Sequence, residues 1–396
     1  MTPEINDLGA RVGLKWFDYQ VETLTAVQAS RFPQRECLYY KTGAGKSYTG
    51  LACMALWGIT QVLVIAPPST YPAWEKAGAK FGIDVQCMSH AKFRMKDTRV
   101  ARTQAMIVDE FHLLGGQGGK GWKKMDTLAK HLQAPLVLMS ATPNYNDAER
   151  VYCIQHVLDP LSCRGGYLEF LYRECETEQD PFSATPKVLG FRNHPDAAAY
   201  LAALPGVHYL PDDLVYTIND VPLPREEPAE LVRYGYNARR ERIIASIIEE
   251  KHAIIDLSLI DANLGGIRPH VYDVLADLVG NATTPVLIFS NHSTVAEALD
   301  RTLARNGVKT ALVHGGTPAK KKAAYLDAFR DGVLDVLVGT ASLATGTDGL
   351  DKVCDWLIIL DDTDDDSLRR QLIGRIMPRG EGGDATTKQV YRMVLQ

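Results

Sequence analysis

The sequence of 396 residues lacks several features, and each absence argues against a class of protein. Its seven cysteines are odd in number and include no Cys-x-x-Cys pair, which argues against a disulfide framework and against a zinc site. No apolar run approaches the ~18 residues that a membrane-spanning helix needs. The opening residues, MTPEINDLGA, do not show the charged and then apolar pattern of a secretory signal. We therefore expect a soluble, cytoplasmic protein with reduced thiols.

Charge of either sign is moderate but unevenly distributed. The net charge is −5, of which residues 1–162 carry +4 and the remainder −9. A basic first part is compatible with a phosphate-rich partner, although a charge of +4 is too small to establish one. Individual motifs must therefore identify the partner.

Short apolar runs, separated by helix-like or loop segments, predict parallel α/β sheets in two parts of the chain. The predicted strands are ECLYY, QVLVIA, AMIVDE and LVLMS in the first part, and PVLIFS, TALVHG, DVLVGT, WLIILD and QVYRMVL in the second. Helical patterns, such as STVAEALDRTLARNG, lie between strands. The predicted fold class is α/β with two parallel-sheet domains.

A chain of this length exceeds what one hydrophobic core usually serves, so two domains and a connecting region are expected. We place the first domain at 1–162 and the second at 266–396. Residues 163–265 lack the strand–helix rhythm, because a polar, proline-containing part precedes a charged helical pattern. This region is predicted to be a linker with a helical insertion.

The stretch LYYKTGAGKS, residues 38–47, has the pattern of a phosphate-binding loop. Its glycines allow a tight turn around phosphate oxygens, Lys46 supplies the compensating charge, and Ser47 is placed to ligand Mg²⁺. The predicted nucleotide-binding residues of this loop are Thr42, Gly43, Ala44, Gly45, Lys46 and Ser47. Tyr40 stands where the pattern has a small residue, so an accidental glycine-rich turn remains the alternative.

Two adjacent carboxylates, Asp109 and Glu110, close the apolar run AMIV. The carboxyl end of a buried parallel strand is where ligands bind in such sheets. Asp109 is predicted to hold Mg²⁺, usually through water, and Glu110 to orient and deprotonate the attacking water. A strand-ending acidic pair without a chemical role is the alternative.

Taken together with further motifs, these residues resemble those of the superfamily 2 helicases and translocases. DEFH (109–112) is similar to their DEAH-type box, FDYQ (17–20) to their glutamine motif, VLVIAPPSTYPAW to their first nucleic-acid motif and MSATP to their coupling motif. In the second half, VLIFS, LVHGGTPAKKKAAYLDAF, VLVGTASLATGTDGLD and QLIGRIMPRG resemble the remaining motifs. The resemblance covers most of 17–162 and 266–380, and it implies two tandem RecA-like domains that bind ATP and Mg²⁺.

The resemblance also implies roles for individual residues. Gln20 would read adenine, Gly346 and Asp348 would contact the nucleotide, and His112, Ser140 and Thr142 would couple hydrolysis to movement. Gln371 and Arg375 would act on the transferring phosphate. The second arginine of the family's last motif is displaced, because Pro378 occupies its position and Arg379 follows. A proline-induced distortion that brings Arg379 to the nucleotide and a solvated loop residue are both open.

The loops that follow predicted strands supply candidate contacts to nucleic-acid phosphates. These residues are Ser69, Thr70, Ser89, His90, Ser290, Asn291, Gly315, Gly316, Thr340, Ser342 and Thr345. Such contacts carry no sequence code and predict strong salt dependence.

Three charged stretches have more than one interpretation. Lys120, Lys123 and Lys124, in the basic loop GGQGGKGWKK, either contact DNA phosphates or are solvated. Lys322, where the family often has arginine, either contacts phosphate or lies on a solvated helix face. The run DDTDDD would repel DNA, so it is assigned to solvent or to a protein partner.

The tryptophan of PPSTYPAW and the stretch SATPNYNDAERVYCIQHVLDP look more like Swi/Snf-type DNA translocases than DEAD-box RNA helicases. The resemblance thus implies a monomeric, phage-type ATP hydrolase that moves along duplex, forked or branched DNA and remodels it. A strand-separating DNA helicase, an RNA helicase and a nucleotide-switched binding module without motor activity are the alternatives.

Overall fold

The structure, a computed structural model, forms two compact units, Met1–Asp213 and Leu214–Gln396. It describes residues 2–30, 34–41, 43–101, 104–114, 119–129, 131, 134–141, 148–179, 185–210, 216–223, 259–261, 265–344, 347, 349–363, 366–378 and 388–395. None of the helices in these ranges has the length and apolar character required to cross a membrane.

The first unit alternates strands and helices along most of its length. Its helices are α1 (Pro3–Val12), α2 (Asp18–Ala29), α3 (Lys46–Leu56), α4 (Tyr71–Phe81), α5 (His90–Arg94), α6 (Lys120–Ala129), α7 (Ala148–Leu158), α8 (Gly166–Glu174) and α9 (Ala197–Ala202). Its strands are β1 (Arg35–Tyr40), β2 (Gln61–Ile65), β3 (Asp84–Met88), β4 (Met106–Asp109), β5 (Leu136–Ser140), β6 (Cys175–Glu178), β7 (Lys187–Phe191) and β8 (Val207–Leu210). Short 3₁₀ turns occupy Pro68–Thr70 and Phe111–Leu114.

Six of these strands form one parallel sheet in the order β3-β2-β4-β5-β1-β8. Every residue of β1, β4 and β5 is buried, as expected for a parallel sheet that helices cover on both faces. Alternate residues of β4 enter different cores, with Val108 in one hydrophobic cluster and Ile107 in the other. The carboxyl ends of these strands therefore lie along one edge, between two well-packed layers.

The second unit has the same design. Its strands are β9 (Ile218–Leu223), β10 (Ile260–Asp261), β11 (Gly266–Ile267), β12 (Val286–Ser290), β13 (Thr310–Val313), β14 (Val336–Gly339), β15 (Trp356–Asp361) and β16 (Gln389–Leu395). Its helices are α10 (Pro269–Asn281), α11 (Ser293–Arg305), α12 (Ala319–Arg330) and α13 (Asp366–Ile376), with 3₁₀ turns at Ala341–Leu343 and Leu350–Lys352. Six strands form a parallel sheet in the order β13-β14-β12-β15-β16-β9.

The two parallel sheets confirm the predicted fold class, and each strand predicted from an apolar run is present. Apolar runs did not predict β3, β8 and β9, which are edge strands of the two sheets. An edge strand is covered less fully, so its residues need not be apolar, and Pro222 is tolerated in β9 because an edge strand can lose a hydrogen-bond donor.

The structural boundary between the units, at 213/214, differs from the predicted boundaries at 162 and 265. Much of the predicted linker instead packs into the first unit, where Phe170 and Tyr200 join the hydrophobic cluster that contains Val108. Strand β8 pairs with β1, and β9 pairs with β16, so the region 163–265 contributes to both sheets. Most of the predicted charged helical segment, 227–260, lies outside the described residues.

Replacement of Tyr200 tests whether this region is part of the first unit. The ring is 4% exposed, lies 5.1 Å from the Phe191 ring between centroids, and its hydroxyl donates to Gln155 at 2.8 Å. We expect Tyr200→Ala to lower the free energy of unfolding by about 3–5 kcal/mol. The control, Tyr172→Ala, alters a tyrosine that is 55% exposed and should change it by less than about 0.5 kcal/mol. Equal, small changes in urea denaturation would indicate a linker instead.

The chain leaves β4 through an unusual backbone conformation at Glu110. Its φ of 48° lies in the left-handed region, which side chains other than glycine rarely adopt. The backbone then turns at once into Phe111–Leu114, with the Leu113 N–H donating to the Glu110 carbonyl at 2.9 Å. This turn keeps the Glu110 side chain at the edge of the sheet instead of continuing the strand.

A pair of substitutions at Glu110 measures this backbone strain. Both Glu110→Gly and Glu110→Ala remove the carboxylate, but only glycine adopts a positive φ without steric cost. We expect the glycine variant to unfold with a free energy about 1 kcal/mol higher than the alanine variant. An alanine variant that is equally stable or more stable in urea denaturation would contradict a left-handed conformation at this position.

Candidate functional site

A tight loop joins β1 to α3 and carries the predicted phosphate-binding residues. Gly43 and Gly45 have φ values of 80° and 71°, so both use conformations that glycine alone adopts readily. Ala44 is buried, and Lys46 and Ser47 form the first turn of α3, where backbone N–H groups are not used within the helix. This geometry suits an anion at the helix N-terminus.

Gln20 packs directly against this loop. Its Nε2 donates to Thr49 Oγ1 on α3 at 2.9 Å, and its Oε1 accepts the Phe17 N–H at 3.1 Å. A Cβ at Gly45 would lie 2.9 Å from Gln20 Nε2, which is a second reason for glycine there. The amide still has a donor and an acceptor position for a base. Gln20 is thus placed beside the loop, as the sequence predicts for a residue that contacts the nucleotide.

Lys46 turns its ammonium group back over the loop. Nζ donates to the carbonyls of Tyr40 at 3.1 Å and Lys41 at 3.3 Å. The same charge lowers the pKa of Asp109, which shows that the loop and the acidic pair share one electrostatic environment. The structure therefore brings together the two motifs that the sequence assigns to one site.

Asp109 is a buried carboxyl group, 9% exposed, at the end of β4. Trp74 Nε1 donates to its Oδ2 at 3.3 Å, and the Glu110 N–H lies 3.1 Å from its Oδ1. Burial, the largest cause, and the adjacent Glu110 charge together raise the pKa of Asp109 to about 7, whereas Lys46 opposes the shift. A cation at this position would relieve the cost of ionising a buried carboxyl group.

The residues present fit a magnesium ion that arrives with a nucleotide. Within the ranges that the structure describes, no cluster of three or more His, Cys, Asp or Glu side chains forms a complete metal cage. Mg²⁺ does not need one, because it keeps several waters and takes one or two protein oxygens together with substrate phosphates. Asp109 and Ser47 would hold it here, and the ion would supply charge neutralisation for the phosphates.

Glu110, His112 and Ser140 form a small polar cluster across two neighbouring strands. His112 Nδ1 lies 3.1 Å from Ser140 Oγ and 3.4 Å from Glu110 Oε2. Ser140 Oγ donates to Glu110 Oε2 at 3.4 Å, from the end of β5. The side chain of Glu110 is therefore oriented by the residues that the sequence assigns to coupling.

In the second unit, Gln371 and Arg375 lie on α13 and are 7% and 9% exposed. Arg375 Nε donates to the Ala344 carbonyl at 2.9 Å. Lys322 is also buried, contrary to a solvated helix face, and its Nζ donates to the Ser342 carbonyl at 2.6 Å. Burial and the Arg375 charge lower the pKa of Lys322 to about 8.

Three of the predicted phosphate contacts are buried. His90, Ser290 and Thr340 are 5%, 0% and 9% exposed. His90 Nε2 instead donates to the Asp109 carbonyl at 2.8 Å, and Ser290 Oγ donates to the His292 carbonyl at 2.9 Å. The side chains of His90 and Ser290 thus support neighbouring backbone, and phosphate contact at the three positions stays a prediction.

The other described candidates lie at or near the surface. Gly315 and Gly316 are exposed, and Ser69, Thr70, Ser89, Asn291 and Ser342 are half-buried. Thr70 Oγ1 donates to the Pro67 carbonyl at 2.8 Å, and Ser89 Oγ caps α5 by accepting the Lys92 N–H at 3.1 Å. The predicted residues Thr42, Thr142, Thr345, Gly346, Asp348 and Arg379 lie outside the described residues.

Two aspartates of the acidic run DDTDDD, residues 361–366, are engaged within the second unit and not with solvent alone, and Asp364 and Asp365 lie outside the described residues. Asp361 is buried and accepts the N–H groups of Asn291 at 2.9 Å and His292 at 3.2 Å. Asp362 pairs with Arg369 at 2.9 Å and with Arg392 at 3.3 Å. These carboxylates stabilise the end of β15.

The described end of the basic stretch after DEFH, residues 119–124, is mostly helical, whereas a loop was predicted. Lys120, Lys123 and Lys124 lie on the helix α6 and not in a loop, and Trp122 is buried against Phe111 with ring centroids 6.4 Å apart. The hydrogen bond from Trp74 to Asp109 was not predicted from the sequence. The tryptophan in PPSTYPAW was its only visible signal.

Residues 270–380 match the helicase conserved C-terminal domain. An ATP-dependent RNA helicase RhlB of Xanthomonas axonopodis pv. citri is 35% identical over 101 residues, which are 25% of this chain and 17% of that protein. The RhlB of Pseudomonas syringae pv. tomato is 28% identical over 142 residues, 33% of this chain and 35% of that protein. The matches thus span well under half the length of these relatives.

The fold is similar to that of two solved helicases. S. cerevisiae Dbp5 bound to RNA and ADP BeF3 aligns with a TM-score of 0.57 and 16% identity, over 100% of this chain and 88% of that chain. Mycobacterium smegmatis helicase Lhr bound to ssDNA and AMP-PNP aligns with a TM-score of 0.53 and 16% identity, over 96% of this chain and 46% of that chain. Identities this low show the shared fold alone. Residues 270–380 are thus similar to a helicase C-terminal domain, and the two parallel sheets have the fold of these solved helicases.

Proposed function

We propose that this protein hydrolyses ATP and couples the hydrolysis to movement along nucleic acid. The observation that carries the proposal is the convergence of Lys46, Asp109 and Glu110 at one edge of the first sheet, where Lys46 acts electrostatically on Asp109. A strand-ending acidic pair without a chemical role would not need a basic phosphate loop beside it. The relatives are named ATP-dependent RNA helicases, which supports the same chemistry.

Each residue of the site has a proposed task. Lys46 and the N–H groups of the glycine loop bind phosphate oxygens, and Asp109 and Ser47 hold Mg²⁺. Glu110 orients and deprotonates the attacking water, since its carboxylate faces the site and contacts Ser140 at 3.4 Å. The contact of His112 with both Glu110 and Ser140 supports its proposed coupling role.

The proposal also names the kind of nucleic acid along which the protein moves. We propose duplex or forked DNA as the track, on the strength of the Swi/Snf-like stretches that contain Trp74 and Val151. RNA is the second candidate, because the relatives are named RNA helicases and Dbp5 was solved bound to RNA. Contacts to the phosphate backbone alone would serve either polymer, so turnover on matched DNA and RNA must decide between them.

Steady-state ATP turnover, measured with no nucleic acid, single-stranded DNA, duplex DNA, forked DNA and RNA, tests the proposal. We expect duplex or forked DNA to stimulate turnover most. Glu110→Gln should lower kcat by about 10²–10⁴-fold, because it removes the general base and keeps the side chain's size. Glu22→Gln, at an exposed position of the first unit, is the matched control and should not change kcat.

The outcomes separate the alternatives. Wild-type turnover that no nucleic acid alters would contradict coupling, and the absence of turnover under all conditions would leave a nucleotide-switched binding module. Stimulation by RNA alone would replace DNA with RNA as the track. Strand separation of a forked duplex in a single turnover would favour the helicase over the pure translocase.

Arg375→Ala tests the proposed action of this residue on the transferring phosphate. We expect kcat to fall by about 10³-fold or more, with nucleotide binding largely retained. Arg301→Ala, at a side chain that is 52% exposed in the same unit, should leave kcat unchanged. Because Arg375 also donates to the Ala344 carbonyl, thermal unfolding of both variants must be measured. A lower unfolding temperature with normal kcat per folded molecule would assign Arg375 a structural role only.

A further inference from the structure

A wide groove lies in the first unit, away from the phosphate loop. One wall is α5 with the segment that follows it, residues 95–100, and the other wall is α6. Its volume is ≈ 1020 Å³, at the upper end of the range of about 300–1,000 Å³ that small-molecule pockets occupy. We call it the basic groove.

The lining of the basic groove has charge of one sign. Its lining residues include six cations and no aspartate or glutamate. The cations are Arg94, Lys96, Arg99, Lys120, Lys123 and Lys124. The first five are exposed, three on one wall and two on the other. Cations on both walls, with no carboxylate among the lining residues, favour an extended polyanion as the ligand.

Lys124 differs from the other cations because its ammonium group is bonded within the protein. Its Nζ donates to the Met95 carbonyl at 2.9 Å and to the Thr98 carbonyl, and it lies 5.2 Å from the centre of the Phe93 ring. Burial lowers the pKa of Lys124. This side chain joins the two walls, so the spacing between the exposed cations is fixed before any ligand binds.

Both walls are also attached to the acidic motif. On one side, His90 at the start of α5 donates to the Asp109 carbonyl at 2.8 Å. On the other, Trp122 of α6 packs on Phe111, and a Cβ at Gly121 would lie 2.3 Å from the Leu114 carbonyl oxygen, so this helix sits tightly on Phe111–Leu114. A ligand that presses on either wall would therefore act on the backbone that carries Asp109 and Glu110.

We propose that the basic groove binds the sugar–phosphate backbone of a nucleic-acid segment, and that its occupancy is sensed at Asp109 and Glu110 through these two attachments. The inference rests on the proposed function and names a surface for the partner of that site. DNA and RNA share the phosphate chemistry that the groove recognises. An acidic protein segment is the competing occupant.

A double substitution with one residue from each wall tests the groove. In Lys96→Gln/Lys123→Gln, two exposed cations become neutral. Each lost phosphate contact lowers the slope of log K against log salt by about 0.9 for duplex DNA and about 0.7 for single strands. We therefore expect the slope, measured by fluorescence anisotropy on labelled DNA and RNA, to fall by about 1.4–1.8. The nucleic-acid concentration that half-maximally stimulates ATP turnover should rise in parallel.

The matched control is Arg11→Gln/Lys15→Gln, which removes the same charge from exposed positions near the end of α1. It should keep the wild-type slope, and thermal unfolding should show that both double variants are folded. A wild-type slope in the groove variant, or an equal loss in the control, would overturn the inference while the proposed function stands. Wild-type protein that binds neither DNA nor RNA would overturn both. Binding of polyglutamate that the groove substitutions abolish, with nucleic-acid binding unchanged, would assign the groove to an acidic protein.

Discussion

The rest of the candidate site depends on the burial of one carboxyl group, that of Asp109. An ionised carboxylate in this position is costly, and burial moves its pKa to about 7. Trp74 from α4 donates to the carboxyl group, while His90 from α5 donates to the backbone carbonyl of the same residue and holds the strand end in place. Lys46 adds an opposing charge from the phosphate loop. Helices that are separate in sequence thus converge on the end of a single strand.

The position of the Glu110 side chain follows from the way β4 ends. The left-handed backbone at Glu110 ends β4 abruptly, and the side chain meets Ser140 from the neighbouring strand and His112 from the next turn. A strained residue at a strand end is costly in free energy, and such costs recur where function requires a fixed side-chain direction. The same turn leads into the segment on which α6 packs, so Glu110 and the support of one wall of the basic groove lie on one short stretch of backbone.

Much of the fold could be predicted because buried parallel strands are continuous apolar runs. Edge strands broke this pattern: β3 and β9 are largely polar or half-buried, and β8 has only four residues. The glycine loop and the acidic pair also follow predicted strands, and the structure has both at those strand ends. It could not tell that His90, Ser290 and Lys322 are buried, because burial of a polar residue depends on partners from distant elements. The basic groove could not be predicted from the sequence either, since its two walls are separated along the chain by the strand β4.

The most direct test of this account is the effect of Mg²⁺ on binding of a fluorescent ATP analogue to wild-type protein and to Asp109→Asn. Thermal unfolding should first establish that the variant is folded. If Asp109 holds the ion beside the phosphates, Mg²⁺ should tighten binding to the wild type by about tenfold or more, a difference of about 1.4 kcal/mol, and should have little effect on the variant. Equal tightening in both proteins would contradict the role assigned to the buried carboxyl group.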